Sequence, residues 1–223
     1  MANICMFRTG EIIQKIWIEI MNVSVILAHP NNNSFNHAIA NTIVKSLKAN
    51  GHNVFYHDLY SERFDPLLLG DEFSQDTHLP NDVRIHCEDI TLADGIIIVH
   101  PNWWGQPPAI LKGWIDRIIR PGVAYEFAED DNGDGIPIGL LKAKTALVFN
   151  TANTPSRREM EIFGDPLERL WRNCIFQFCG VQTFYRRMYR VVVTSSIEQR
   201  LEWLAETEDI INTYFPTELT EQP

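Results

Sequence analysis

Three short, almost unbroken apolar runs, 23–28 (VSVILA), 95–100 (GIIIVH) and 145–150 (TALVFN), constrain this chain more than any other feature. A strand with one wet face alternates apolar and polar residues. A run that is apolar throughout has to be buried on both faces, as a central strand of a parallel sheet is. Longer amphipathic stretches lie between these runs. Positions 34–50 read as a helix, with Ser34 as N-cap and Gly51 just past its end. Asn81–Leu92 reads as a second helix. A third opens at Pro107 and Pro108, runs to Ile119, and stops before Pro121-Gly122. Positions 52–57 alternate around Val54 and Tyr56 as a further strand; 165–178 is expected to be helical and 183–193 extended. A final amphipathic helix over 195–214 is capped by Ser195 or Ser196. Five strands alternating with helices predict an α/β fold, a doubly wound five-stranded parallel sheet of order 2-1-3-4-5 with helices on both faces. Two connections, 59–80 and 122–144, exceed ordinary loop length.

No repeat, low-complexity tract or linker divides the 223 residues, so 21–216 reads as one domain and 217–223 as a tail. Residues 1–20 stand apart. Glu11, Lys15 and Glu19 interrupt the apolar stretch there, which a secretory segment would not tolerate. Met21 directly precedes the first strand, and the working chain is expected to begin near it. No apolar run reaches the length of a membrane span. Nineteen Lys and Arg against 29 Asp and Glu leave a net charge of −10, which argues against nucleic acid as a partner; a cytoplasmic location is expected. An anion held by backbone amides remains compatible with that charge. Cys5, Cys87, Cys174 and Cys179 are too few and too scattered for a disulfide framework. No metal site is expected. Asp130, Asn132, Asp134 and Gly135 match the first half of a calcium loop, but Leu141 stands where its bidentate Glu belongs. His37, His52, His57, His78 and His86 show no ligand spacing and read as surface or strand-edge residues. His100, ending a central strand, reads as a satisfied, half-buried histidine.

In a doubly wound sheet ligands bind beyond the carboxyl ends of the strands, where the strand order reverses. The segments after Ala28, Val99 and Phe149 are therefore where chemistry belongs. The first, His29-Pro30-Asn31-Asn32-Asn33-Ser34-Phe35-Asn36, leads straight into a helix, whose unpaired amides and dipole suit a phosphate. It can equally be a polar turn with an ordinary Ser cap. The second, His100-Pro101-Asn102-Trp103-Trp104-Gly105-Gln106, sets two indoles in a prolyl loop. They either wall a planar ligand or bury against the following helix. The third, Asn150-Thr151-Ala152-Asn153, is small and amide-rich. Together the three fit an elongated phosphorylated aromatic cofactor. Neither a GxGxxG nor a GxxxxGK[ST] loop is present.

Ala28-His29-Pro30 with Ser34-Phe35-Asn36, Asp58-Leu59-Tyr60, Phe64-Asp65-Pro66, 101–105 followed by PAILKGWIDR at 108–117, Ala124-Tyr125-Glu126-Phe127, Gly164-Asp165 and Phe178-Cys179-Gly180 carry a resemblance spanning about residues 22–215. The chain resembles the flavodoxin-like NAD(P)H:quinone oxidoreductases, a family that includes mammalian quinone reductases and the flavoprotein ancillary subunits of potassium-efflux systems. The resemblance implies a homodimeric flavoenzyme with FAD, FMN being the alternative. The flavin takes a hydride from NADH or NADPH and passes it, by a ping-pong mechanism, to a quinone or a nitro or azo aromatic acceptor. It also implies that His29, Asn31, Ser34, Phe35 and Asn36 hold the diphosphate and ribityl side. Pro101, Asn102, Trp103, Trp104, Gly105, Asn150, Thr151, Ala152 and Asn153 would line the isoalloxazine. Tyr125, Phe127 and Phe178 would bind substrate, partly across a dimer interface.

One departure concerns the acceptor more than the flavin. The family's quinone reductases carry a glycine-rich stretch after the fourth strand, then a Tyr and a His. Here the segment runs Thr151-Ala152-Asn153-Thr154-Pro155-Ser156-Arg157-Arg158, with Phe163 in place of the His. No catalytic residue is assigned beyond Arg157, a candidate shared with Arg158 for stabilising reduced flavin or reading a nicotinamide phosphate. Both arginines could instead be solvated. The rival function is a flavin-bound regulatory or ancillary subunit with little turnover.

Overall fold

The structure, a computed structural model, describes residues 20–73, 78–128 and 135–217, together with the backbone of 3–9 and 12–18. The three apolar runs form neighbouring strands β3 (Asn22–Leu27), β5 (Gly95–Pro101) and β8 (Thr145–Ala152), flanked by β4 (Asn53–Asp58) and β9 (Thr183–Arg190). The order is β4-β3-β5-β8-β9 and every pairing is parallel, which is the expected 2-1-3-4-5. Alternation along each strand splits the core. Ile26, Ile96, Ile98, Ala146 and Val148 face one way, against α2 (Asn81–Leu92), α3 (Ala109–Ile118) and the helical segment beginning at Pro166. Val25, Leu27, Ile97, Val99, Leu147 and Phe149 face the other way, against α1 (Phe35–Ala49) and α6 (Ile197–Tyr214). Each such buried aliphatic side chain contributes about 1.5–3 kcal/mol.

The boundaries follow local chemistry. Ser34 caps α1 by accepting from the His37 amide, and Gly51 follows its end at φ 86°. For α6 the cap is Ser196, which accepts from the Gln199 amide. The stretch expected to be helical over 165–178 divides into a short α-helix α5 (Pro166–Arg169) and a π-helical segment, Leu170–Gln177. The fifth strand ends at Arg190 rather than Val193, and a 3₁₀ turn, Val192–Thr194, follows. A short helix α4 (Ser156–Glu161) and a hairpin of β6 (Tyr125–Phe127) with β7 (Pro137–Gly139) were not expected. Near the amino end β1 (Asn3–Thr9) and β2 (Ile12–Ile18) pair with each other, antiparallel, and among the described residues with no other strand. Asp130, Asn132 and Asp134 of the calcium-like motif and the side chain of Cys5 lie outside the described residues. Among the described residues no helix is long and apolar enough to cross a membrane.

The long connection after β4 is anchored by buried charge. Arg117 of α3 donates from Nε and a terminal nitrogen to both oxygens of Glu72, at 2.9 and 2.6 Å, and donates a third bond to the Asp65 carbonyl. A Cβ on Gly113 would meet the Pro66 carbonyl oxygen at 2.2 Å, so the glycine of PAILKGW lets Pro66 lie directly on the helix. Nearby, His57 and His86 are buried and stack at 3.9 Å, which corrects the surface reading of both. His57 bonds Glu62 at 3.1 Å and Asp89 at 2.9 Å. Burial opposes a charge on His57, but the two carboxylates outweigh it and raise its pKa; Glu62, itself opposed by burial, is held down to about 2 by the two histidines. His57, Glu62 and His86 bring three ligand-type atoms within 4.8 Å of one another. The Trp114 indole donates to His86 Nδ1 at 3.1 Å, so a neutral His86 carries its proton on Nε2, the nitrogen facing Glu62. A cation there would need that nitrogen's lone pair, so the donor set fits a hydrogen-bonded cluster better than a metal. His37 and His52 are buried too, bonded to Asp58 and the Pro216 carbonyl respectively.

Candidate functional site

Two adjoining clefts open along the carboxyl edge of the sheet and share Asn102 and Asn153. The first, about 410 Å³, is lined by His29, Ser34, Phe35 and Asn36 after β3. Pro101, Asn102 and Trp103 come from β5 and its loop, Thr151, Ala152 and Asn153 from β8 and its loop, and Val192, Val193 and Arg200 follow β9. Asn31 does not line this cleft but orders the loop beside it: its side chain accepts from the Asn33 amide, its carbonyl from the Ser34 amide, and its own amide donates to His29 Nδ1 at 3.1 Å. The same nitrogen lies 3.3 Å from the Asn31 carbonyl; with the amide bond the shorter of the two, Nδ1 accepts and the ring proton sits on Nε2, where it can donate. Burial lowers the pKa of His29, which keeps that neutral form. Asn36 is buried and donates to Thr151 Oγ1 at 2.9 Å, while its carbonyl oxygen, also buried, has no hydrogen-bond partner among the described residues. Such an acceptor, left dry beside a cleft, asks for a donor from a ligand.

Neither tryptophan of the second loop buries against the following helix. Trp103 is 42% exposed and Trp104 fully exposed. Trp103 and Gln106 exchange backbone bonds around Trp104 and Gly105, which sit at φ 58° and 73°. Two consecutive left-handed residues make this a mirror-image turn, held further by the Gly105 amide donating to Asn102 Oδ1. The turn sends Trp103 to the first cleft and Trp104 to the second. That second cleft, about 660 Å³, is lined by Trp104, Gly105, Thr154, Pro155, Arg158, Glu159, Phe163 and Pro166 with the two shared asparagines.

Several expected residues lie elsewhere. Asn150 is wholly buried beneath the edge, donating to His100 Nε2 at 2.7 Å and accepting from Arg186. His100 is fully rather than half buried. Its Nδ1 donates to the Pro101 carbonyl, Nε2 accepts from Trp171 at 2.9 Å, and burial takes its pKa down to about 3, so it is a structural, neutral ring. Arg157 is exposed, bonded to Glu161 one turn on, and lines neither cleft; Arg158 lines the second. Tyr125, Phe127 and Phe178 pack edge to face, with centroids 4.9–6.2 Å apart, but border neither cleft within one chain. Val192, Val193 and Arg200 were missed. The rule that ligands bind past strand ends applies to β9 as well, and its following segment had gone unread.

The doubly wound sheet brings a helix amino-terminus, exposed indoles and small amide-rich loops together at its switch point, the place where folds of this class bind ligands. The flavodoxin-like fold family matches residues 21–209. An NAD(P)H oxidoreductase of Haemophilus influenzae, described as uncharacterized, is 38% identical over 166 residues, 73% of this chain and 80% of that protein. The rat NAD(P)H dehydrogenase [quinone] 1 is 28% identical over 215 residues, covering 82% and 77%. The solved structure of an NAD(P)H:quinone oxidoreductase from Methanothermobacter marburgensis superposes with a TM-score of 0.74 at 24% identity, covering 88% of this chain and 98% of that one, and shares the fold. The chain belongs to the flavodoxin-like family, in its NAD(P)H oxidoreductase branch.

Proposed function

We propose that the protein is a flavin-dependent NAD(P)H oxidoreductase. It moves a hydride from NADH or NADPH, through bound flavin, to a quinone-like or a nitro or azo aromatic acceptor in two half-reactions. The observation that carries this is the pair of adjoining clefts, the first running from the opening turn of α1 to Trp103 and 151–153 with the unpartnered Asn36 oxygen beside it, the second next to it with a largely apolar wall. Bound flavin supplies the two-electron chemistry. The protein binds and orients. Asn36 Oδ1 is free to accept from a ribityl hydroxyl. The opening amides of α1, His29 Nε2 and Arg200 supply donors and positive charge at a diphosphate. Trp103 and the 151–153 segment border the space a ring would fill. Arg200 donates to Ser195 Oγ and the Val192 carbonyl, which presets its direction. Beyond it, Val193, Ile197 and Leu201 are exposed apolar side chains suited to an adenine, which favours FAD over FMN.

The proposal includes a cytoplasmic homodimer in which the Tyr125–Phe127–Phe178 cluster of one copy closes the acceptor cleft of the other. Sedimentation equilibrium at micromolar protein tests this, and a monomer would remove the cluster from the site. We take 21–216 as the working domain and 1–20 as an upstream extension, which the intact mass of protein from its native locus decides. The central test is anaerobic addition of NADPH, then NADH, to flavin-loaded protein. Bleaching of the visible flavin band within seconds is expected. Flavin that binds but is reduced by neither nucleotide would turn the reading to a flavin-bound ancillary subunit.

A further inference from the structure

We propose that the larger cleft selects acceptors in which a flat ring carries an anionic oxygen group, a carboxylate or sulfonate, and that Arg158 is the residue that reads the anion. This rests on the oxidoreductase reading above and names the substrate class of that site.

The cleft is mostly apolar wall and small backbone, from Trp104, Gly105, Pro155, Phe163 and Pro166, with two charged side chains, Arg158 and Glu159. They differ in availability. Glu159 is 1% exposed and accepts from Asn102 Nδ2 at 3.1 Å. Arg158 is exposed at the cleft, and its guanidinium carbon lies 5.6 Å from the centroid of the Phe163 ring. Several other arginines are paired with carboxylates: Arg157 with Glu161, Arg172 with Glu168, Arg186 with Asp165 and Glu168, and Arg187 with Glu206. Among the described residues Arg158 has no carboxylate partner, in a chain with 29 acidic residues and a net charge of −10.

An arginine left to an aromatic face keeps its edge N–H groups open while the ring limits its motion. That planar fork fits a carboxylate or sulfonate. Trp104, fully exposed on its left-handed turn, offers an indole face to a flat ring in the same cleft. An acidic protein repels anions at long range, so a lone cation at the cleft acts as a local selector rather than as part of a general anion attraction.

Two measurements test this. In the first, kcat/KM is compared for 1,4-naphthoquinone and 1,4-naphthoquinone-2-sulfonate, with NADH and with NADPH, in flavin-loaded wild type, Arg158→Gln, Arg158→Lys and Arg157→Gln. The sulfonate-to-neutral ratio is expected to fall about tenfold in Arg158→Gln, as loss of a charged hydrogen bond implies. It should recover in part in Arg158→Lys and keep its wild-type value in Arg157→Gln. An unchanged ratio in Arg158→Gln overturns the proposal. So does a changed NADPH-to-NADH ratio with no change in acceptor preference, which would assign Arg158 to a nicotinamide phosphate. The second needs no turnover: quenching of tryptophan fluorescence by naphthalene-2-sulfonate, referenced to Trp104→Phe, should weaken about tenfold in Arg158→Gln. If neither nucleotide reduces the flavin, the oxidoreductase reading falls, while this titration still decides whether Arg158 binds an aromatic anion.

Discussion

At the scale of single residues, the site is most exposed to test where a buried group lacks a partner. Asn36 spends one half of its amide on Thr151 and leaves the other unbonded at the first cleft. If that oxygen takes a flavin hydroxyl, Asn36→Ala should weaken flavin affinity about tenfold, while Thr151→Val, which removes the bond to Asn36 but keeps the side chain's bulk at the cleft, should weaken it less. Flavin fluorescence titration reads both, and equal losses would assign the effect to loop order instead. Trp104 gives a second test. Its left-handed backbone is strained for any residue but glycine, and its side chain is fully exposed, so truncation forfeits no packing. Trp104→Gly should therefore be more stable than Trp104→Ala by about 1 kcal/mol in urea unfolding. That Trp103 and Trp104 serve a cleft rather than a core was one of two readings open in the sequence. What decided it, the handedness of the turn, has no trace in hydropathy.

At the scale of elements, legibility followed the length and regularity of the pattern. The doubly buried strands could be read because unbroken apolar runs have few other uses, and α1 because Ser34 and Gly51 bracket a long periodic stretch. β6 and β7, three residues each, are too short for periodicity to show. The π-helical segment was invisible for a different reason: Trp171, Ile175 and Phe176 bury equally well on either helical repeat. The partners of His57 and His86, Asp89 and Trp114, stand 32 and 28 residues away, beyond any local pattern. The fit of α3 to Pro66 makes an element-level prediction. Gly113→Ala drives a methyl into a backbone carbonyl that cannot rotate aside, and should cost about 3 kcal/mol by urea denaturation. A loss under 1 kcal/mol would mean that the 65–73 connection is not seated on the helix as described.

At the scale of the whole molecule, two buried histidines pull stability in opposite directions with pH. His57 is raised in the folded state, so its contribution is complete below the ordinary histidine pKa of 6.5 and is lost as pH rises through its folded value. His100 is depressed to about 3, so its contribution is complete above 6.5 and is lost as pH falls toward 3. Glu62, held to about 2, adds a further loss as pH drops from 4.5 toward 2. The unfolding free energy of wild type should be highest near neutral pH. His57→Gln should flatten the alkaline side and His100→Asn the side below 6.5, read by urea titrations from pH 4 to 9; a slope unchanged in either variant would refute that assignment. The first cleft also has a bearing on assembly. Its walls come from the ends of β3, β5, β8 and β9, so His29 and Arg200 face one cleft only when four strands stand in register. A pocket distributed in this way belongs to no fragment of the chain. Occupancy then works as a thermodynamic keystone, bearing on every strand at once: a molecule lodged there stabilises the entire native ensemble by mass action.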